Sequence, residues 1–234
     1  MLVTAFLLDR NKTVKKSIEH YVSMFDHLAK TGIPIILFLD ASLKGTVNYR
    51  NVKVVYLSLE DLAYYKFLQK QNVPPIFNAP RESELMDYFI IINSKTEFIM
   101  RAMDVCPDTR FSWIDFGVSH IMENPKIALS NLWKDKYLQK GVVIAGGHSE
   151  PVRYQRELIW RFFGGFFSGT REDIKYFHDY QTQAYEKIYP IMDLEVKLWS
   201  YAETELGFNP KWYRSSFGDG FLDFDSLLDY SGAF

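Results

Sequence analysis

Asp115 is the acid that stands out in this chain. It breaks the apolar run FSWIDFGVSH, residues 111–120, between Trp113-Ile114 and Phe116, and Gly117 follows. A carboxylate among such neighbours is costly unless it faces a cation or a donor. A glycine beside it brings the backbone close to a ligand or takes up a positive φ. Asp9 and Asp40 also end apolar runs, and there a turn or a cap competes evenly with a functional role. Arg10 follows the first run, and its guanidinium can pair a phosphate or stack on a base. Lys95 and Arg101 lie six apart, off any one helical face, whereas Glu195 and Trp199 lie four apart and share one. Gly164-Gly165 sit inside FFGGFFSGT, and Asp219 sits between two glycines in the tail WYRSSFGDGFLDFDS.

These residues need elements to position them. Residues 3–8 read as a buried strand, followed by a polar turn and a helix over 13–31 that Gly32 stops. Strands follow at 34–39 and 52–57, with a helix or helical turn over 59–70. A proline-rich connector, 72–84, leads to a helical stretch over 85–103, broken near Asn93-Ser94, and to a strand at 111–114. Another strand covers 142–145. RFFGGFFSGT, 161–170, reads as a strand pair or a bulged strand, and helices over 171–189 and 191–206 precede a loop-rich tail. This rhythm predicts an α/β fold with a mostly parallel central sheet flanked by helices, in one domain. Ligands of such sheets bind outside the carboxyl ends of the strands. Asp9, Asp40 and Asp115 fall there.

Composition narrows the classes. Of 234 residues, 47% are hydrophobic and 24% charged, and the formal net charge is -2. With no long basic run, a nucleic-acid partner is not expected. Aromatic residues reach 17%, which suits either a Phe-rich core or stacking against bases and sugars. The single Cys106 excludes an internal disulfide and a cysteine-based zinc site, and is expected to be a buried structural thiol. The apolar start MLVTAFLLDR is too short for a membrane span and lacks a basic leader. No integral membrane segment is expected, and the localisation expected is cytoplasmic.

Five segments together resemble a known family: VTAFLLDR (3–10), NSKTEFIMRA (93–102), WIDFG (113–117), FFGGFFSGT (162–170) and EVKLWSY (195–201). Their order and spacing, spread over nearly the whole chain, resemble the HtrL/YibB family of bacterial surface-polysaccharide loci. More broadly, they resemble nucleotide-sugar glycosyltransferases of the GT-A fold. The resemblance implies a single Rossmann-like GT-A domain, with residues 1–117 binding a nucleotide-diphosphate sugar and 118–234 forming the acceptor-binding part and tail. It implies transfer to a glycan or glycoprotein acceptor, with Mn²⁺ or Mg²⁺ at the diphosphate.

On that resemblance Asp115 is the first acid of a D-x-D pair and a metal ligand, with Trp113 beside the donor. The second position is Gly117, so Asp115 would hold the ion alone or through water, with help from His120 or Asp219. Phe6 and Arg10 would meet the base and phosphates. Lys95 and Arg101 would take the diphosphate and the sugar, unless both are solvated charges. Gly164 and Gly165 would let sugar hydroxyls approach, unless they mark a bulge in an aromatic core. Glu195 would be the catalytic base of the acceptor site or a ligand to a sugar hydroxyl, and Trp199 its apolar platform, unless they are a surface Glu beside a core Trp. Arg214 or Asp219 would close over the diphosphate, unless the Gly-Asp-Gly turn is plain, and His148 is a loose candidate on the acceptor side. Two rivals stand beside this reading. A phosphohydrolase is disfavoured, because its nucleophilic Asp belongs on an early strand with a second acid two residues on. A non-catalytic binding module that lost its second acid is not disfavoured.

Overall fold

A computed structural model describes residues 1–8, 17–78, 86–134, 137, 140–154, 159–216 and 218–225. Seven strands form one sheet: β1 (Leu2–Phe6), β2 (Ile35–Asp40), β3 (Val52–Leu57), β5 (Arg110–Ile114), β6 (Val143–Gly146), β7 (Phe166–Thr170) and β9 (Lys211–Arg214). Two short strands, β4 (Ile76–Phe77) and β8 (Ile191–Met192), pair separately. The sheet order is β3-β2-β1-β5-β7-β6-β9. Only β7 is antiparallel to its neighbours; every other pairing is parallel. The fold is α/β and Rossmann-like, with a mostly parallel central sheet flanked by helices.

Alternation along the strands sends side chains to two cores. Val3, Ile36, Phe38, Phe111, Trp113, Ile144, Phe167 and Trp212 face one core. Leu2, Ile35, Leu37, Ile114, Val143, Phe166 and Tyr213 face the other. The first is covered by α3 (Met86–Asn93), α4 (Lys95–Val105), α6 (Arg171–Ile188) and α7 (Glu195–Tyr201). The second is covered by α1 (Ile18–Ala29) and α5 (Pro125–Ser130). Both faces are buried, which is why β2 reads as the unbroken apolar run IILFL. Among the described residues no helix is long and apolar enough to cross a membrane.

Local chemistry sets the boundaries that matter for the site. The break expected near Asn93-Ser94 is present: Ser94 Oγ donates to Ile90 O (2.8 Å) and Asn93 Nδ2 to Phe89 O (2.9 Å). Side chains that bond back to the preceding turn end α3 and make Lys95 the first residue of α4. At α6, Thr170 and Asp173 form a reciprocal capping box. The segment 161–170 forms one strand, not two. Residues 162–165 turn toward the sheet edge, where Phe163 N donates to Ala145 O (2.8 Å) and Gly165 O accepts from Asp115 N (3.1 Å). The helix expected over 191–206 opens with β8, and the tail expected to be loop contains β9. Cys106 is half-buried, not buried; its carbonyl accepts from the Arg171 guanidinium.

Candidate active site

The carboxyl ends of β1 and β5 and the turn entering β7 open onto a cavity of about 370 Å³. Phe6, Lys95, Trp113, Asp115, Gly164, Gly165 and Glu195 all line it, so the structure gathers seven of the expected residues in one place. Asp115 sits just past β5, its backbone held by Gly165 O on one side and a turn to Val118 N (3.0 Å) on the other. Its Oδ1 accepts from Trp113 Nε1 at 2.7 Å and lies 2.9 Å from Lys95 Nζ.

Lys95 joins the parts. Its Nζ also donates to Glu195 Oε1 (2.8 Å) and to Gly164 O (2.9 Å). An ammonium has three N–H donors and no acceptor; here all three are taken by protein oxygens. Lys95 is therefore a clamp on two carboxylates. This differs from the expected phosphate ligand, since no proton is left to donate. Burial would lower the Lys95 pKa, but Asp115 and Glu195 reverse that and hold it above the ordinary lysine range. Glu195 goes the other way: burial pushes its carboxyl up, against the pull of Lys95. The two side chains are 5% and 8% exposed, whereas Asp115 is 40% exposed and lines the cavity.

The glycines make this packing possible. A Cβ on Gly164 would stand 2.0 Å from Glu195 Oε1 and 3.0 Å from Lys95 Nζ. One on Gly165 would stand 2.7 Å from the Phe221 ring and 3.6 Å from Asp115 Oδ2. Gly117 differs: its φ is −97°, and a Cβ would meet Met24 Sδ at 3.4 Å and the Tyr21 ring at 3.7 Å, both ordinary contacts. Phe6 stacks on Phe116 (4.6 Å) and leans on Tyr21 (5.2 Å), which makes an aromatic wall at the β1 end. His120 lines the same end and bonds Gly117 O through Nδ1 (2.6 Å). A carbonyl only accepts, so Nδ1 carries the proton and Nε2 is the nitrogen left for other contacts.

Other expected residues lie elsewhere. Arg101 binds Glu97 Oε1 through Nε (2.9 Å) and Nη2 (2.8 Å), and Asp61 O through Nη2 (2.7 Å), tying α4 to the turn before α2 (Ala63–Gln69). Six residues of helix carry it away from the face Lys95 occupies. Trp199 is fully buried; its indole packs on Phe162, Phe167 and Phe177 and donates to Gln181 Oε1 (3.2 Å), so it offers no platform to a sugar. Asp219 Oδ1 accepts from Asn124 N (2.8 Å); of its short helical turn it is Phe221 that reaches the cavity. Arg214 ends β9, exposed and off the cavity wall. His148 also lies off it, its Nδ1 on Glu150 O. Asp40 caps a turn through Ser42 N (3.0 Å). Arg10 and Asp9 lie outside the described residues.

Tyr88 and Trp160 line the cavity too, and no sequence pattern pointed to either. The Lys95–Glu195 contact joins the starts of two helices a hundred residues apart, a separation at which local spacing carries no signal.

No protein-family model matches the chain, and no curated protein matches it. Several solved structures are similar over most of its length at low identity. One is a 4-diphosphocytidyl-2C-methyl-D-erythritol synthase from Anaerococcus prevotii, with 10% identity, 94% of this chain and 89% of that one covered, and a TM-score of 0.41. Another is a glycosyltransferase involved in the glycosylation of the major capsid of PBCV-1, with 10% identity, 92% and 80% covered, and a TM-score of 0.45. A third is a CMP:2-keto-3-deoxy-manno-octonic acid synthetase complexed with CTP, with 9% identity, 91% and 88% covered, and a TM-score of 0.45.

Proposed function

We propose that this chain is a glycosyltransferase that takes a sugar from a nucleoside diphosphate and passes it to a glycan or glycoprotein acceptor. One arrangement carries the reading. Along the sheet edge stand Phe6 at the end of β1, Asp115 past β5, Gly165 before β7, and Trp160, whose carbonyl accepts from Gly147 N beside β6. Three strand intervals separate β1 from β6, a span of roughly 14 Å. Aromatic ends with a charged centre between them suit a base, a diphosphate and a sugar laid along the edge. The sequence resemblance to the HtrL/YibB family supports the same reading.

The residues divide the work as follows. Phe6 and Tyr21 would stack the base, and Arg10, four residues past β1, would meet the phosphates. Gly164 and Gly165 let Glu195 and Phe221 close on the backbone of the cavity wall. Glu195 would accept the proton of the acceptor hydroxyl; a carboxylate whose pKa burial raises is a stronger base than an ordinary one. Lys95 holds Glu195 and Asp115 in register without touching substrate.

The residues fit a divalent ion through one oxygen, Asp115 Oδ2, since the Trp113 and Lys95 contacts both fall on Oδ1. Phosphate oxygens and water supply the remaining ligands of Mn²⁺ or Mg²⁺ at such sites. Bound there, the ion would neutralise charge on the departing diphosphate.

The glycine at position 117 favours one second reading, a nucleotide-sugar- or glycan-binding module without turnover. A thermal-shift panel of UDP-, GDP-, dTDP- and CMP-sugars, with and without Mn²⁺, tests both on wild type and Asp115→Asn. At a hundredfold excess over Kd the fold gains about 2.7 kcal/mol. A Mn²⁺-dependent shift with one of the nucleoside-diphosphate sugars, lost in Asp115→Asn and accompanied by release of the nucleoside diphosphate, supports the transferase. A shift without release supports the binding module, and no shift with any sugar nucleotide sinks the transferase and the nucleotide-sugar module alike.

A further inference from the structure

Trp160 is 41% exposed in the cavity wall, while Trp113, Trp199 and Trp212 are buried. Its ring backs onto Phe163, with centroids 5.8 Å apart. The backbone beneath it is fixed more firmly than a surface loop requires. Trp160 O accepts from Gly147 N (3.1 Å), and Phe163 N donates to Ala145 O (2.8 Å). Between them Arg161 is buried, its guanidinium on both Glu203 oxygens (2.9 and 2.7 Å) and on the carbonyls of His148 (2.8 Å) and Ser149 (3.0 Å). Even Gly147 is shaped to the task, since a Cβ there would stand 3.2 Å from Trp160 O and 3.0 Å from the Phe163 ring. A buried ion pair is costly to assemble and is weak evidence for stability by itself. Here it immobilises a segment whose outward feature is one half-exposed indole.

We infer that Trp160 is the stacking platform for a sugar ring, held in place by the Arg161–Glu203 pair. This rests on the reading of the cavity as a nucleotide-sugar site. Trp160 stands at the β6 end of the sheet edge, three strand intervals from Phe6, where a sugar ring would follow the diphosphate. A flat rigid indole offers a large apolar face to the C–H side of a sugar. Because the backbone is fixed beforehand, little ordering cost falls on binding. Donor and acceptor rings present chemically alike C–H faces, so both are sources of the ring that stacks here.

Calorimetric titration of Trp160→Ala, Trp160→Phe and wild type separates these sources. The probes are UDP with UDP-glucose, GDP with GDP-mannose, dTDP with dTDP-glucose, and the glycans lactose and maltose added to the nucleotide-bound protein. If the donor sugar stacks, Trp160→Ala loses roughly tenfold in affinity for a sugar nucleotide, binds the bare nucleotide as wild type does, and is largely rescued in Trp160→Phe. If the acceptor ring stacks, the loss falls on lactose or maltose alone. Nucleotide binding with every sugar-bearing probe unaffected in Trp160→Ala overturns the inference and leaves the nucleotide-sugar reading standing. Glycan binding that depends on Trp160 without any nucleotide binding keeps the platform and sinks the donor reading. Wild type that binds no probe overturns both.

Discussion

Lys95 Nζ and Glu195 Oε1 stand 2.8 Å apart at the starts of α4 and α7, both side chains nearly out of water. With the ammonium also on Asp115 and Gly164 O, its removal leaves a buried carboxylate uncompensated. Breaking one partner of a buried pair typically costs about 3–5 kcal/mol. Lys95→Met should lose stability of that order in urea unfolding. Lys95→Met/Glu195→Gln should recover a large part of it, because the stranded charge is then gone. Equal losses in the single and double variants would show that Lys95 matters for packing rather than for charge.

The raised Glu195 pKa makes a prediction with a definite sign. The folded protein holds this proton more tightly than the unfolded chain, whose value lies near the ordinary 4.5. The stabilisation is complete below that value and is lost as pH rises through the folded one. His178 acts oppositely: burial lowers its pKa below 6.5, so its contribution is lost as pH falls through the folded value. Subtracting melting curves of wild type from those of Glu195→Gln cancels His178 and the other groups. The difference should grow in favour of Glu195→Gln from pH 4.5 upward. A flat difference would mean that Glu195 has no raised pKa.

Two glycines separate close packing from mere proximity. Gly164→Ala drives a methyl to within 2.0 Å of Glu195 Oε1, and the carboxylate can yield only by leaving Lys95. A cost of about 1–3 kcal/mol is expected, together with loss of the sugar-nucleotide thermal shift. Gly117→Ala meets ordinary contacts in an allowed conformation and should melt and bind nearly as wild type does. The ranking of the two melting temperatures is the measurement.

Much of the scaffold was legible because burial on both sheet faces makes β2 an unbroken apolar run and because Ser94 and Asn93 carry the chemistry of a helix break. Asp115 was legible for the same reason, as an acid at the end of such a run. Trp199 was not. Its helix is buried along six consecutive residues, Glu195 to Ser200, so a shared face with Glu195 could not reveal which way that face turns. Arg101 carried a readable signal that went unused: Glu97 stands four residues before it, the spacing of a helical ion pair. Trp160 and the Lys95 clamp depend on contacts across the fold, and β9 is too short to show a period.

The remaining prediction concerns how Asp115 is aimed. Trp113 is 2% exposed, stacks on Phe98 (5.7 Å) and Phe167 (6.5 Å), and reaches forward to Asp115 Oδ1 with its indole N–H at 2.7 Å. Trp113→Phe keeps an aromatic ring in the stack but removes that donor. A hydrogen bond to a charged acceptor contributes about 1.5–3 kcal/mol, and the carboxylate it orients is 40% exposed, so water can replace part of the loss. Stability should therefore fall by less than in Lys95→Met. Freed to swing about its own torsions, Asp115 would no longer present Oδ2 beside Gly165, and the Mn²⁺ dependence of the sugar-nucleotide shift should weaken more than the shift itself. If Trp113→Phe lowers stability while the Mn²⁺ dependence stays intact, the indole is only a core side chain and the orientation of Asp115 rests on Lys95 alone.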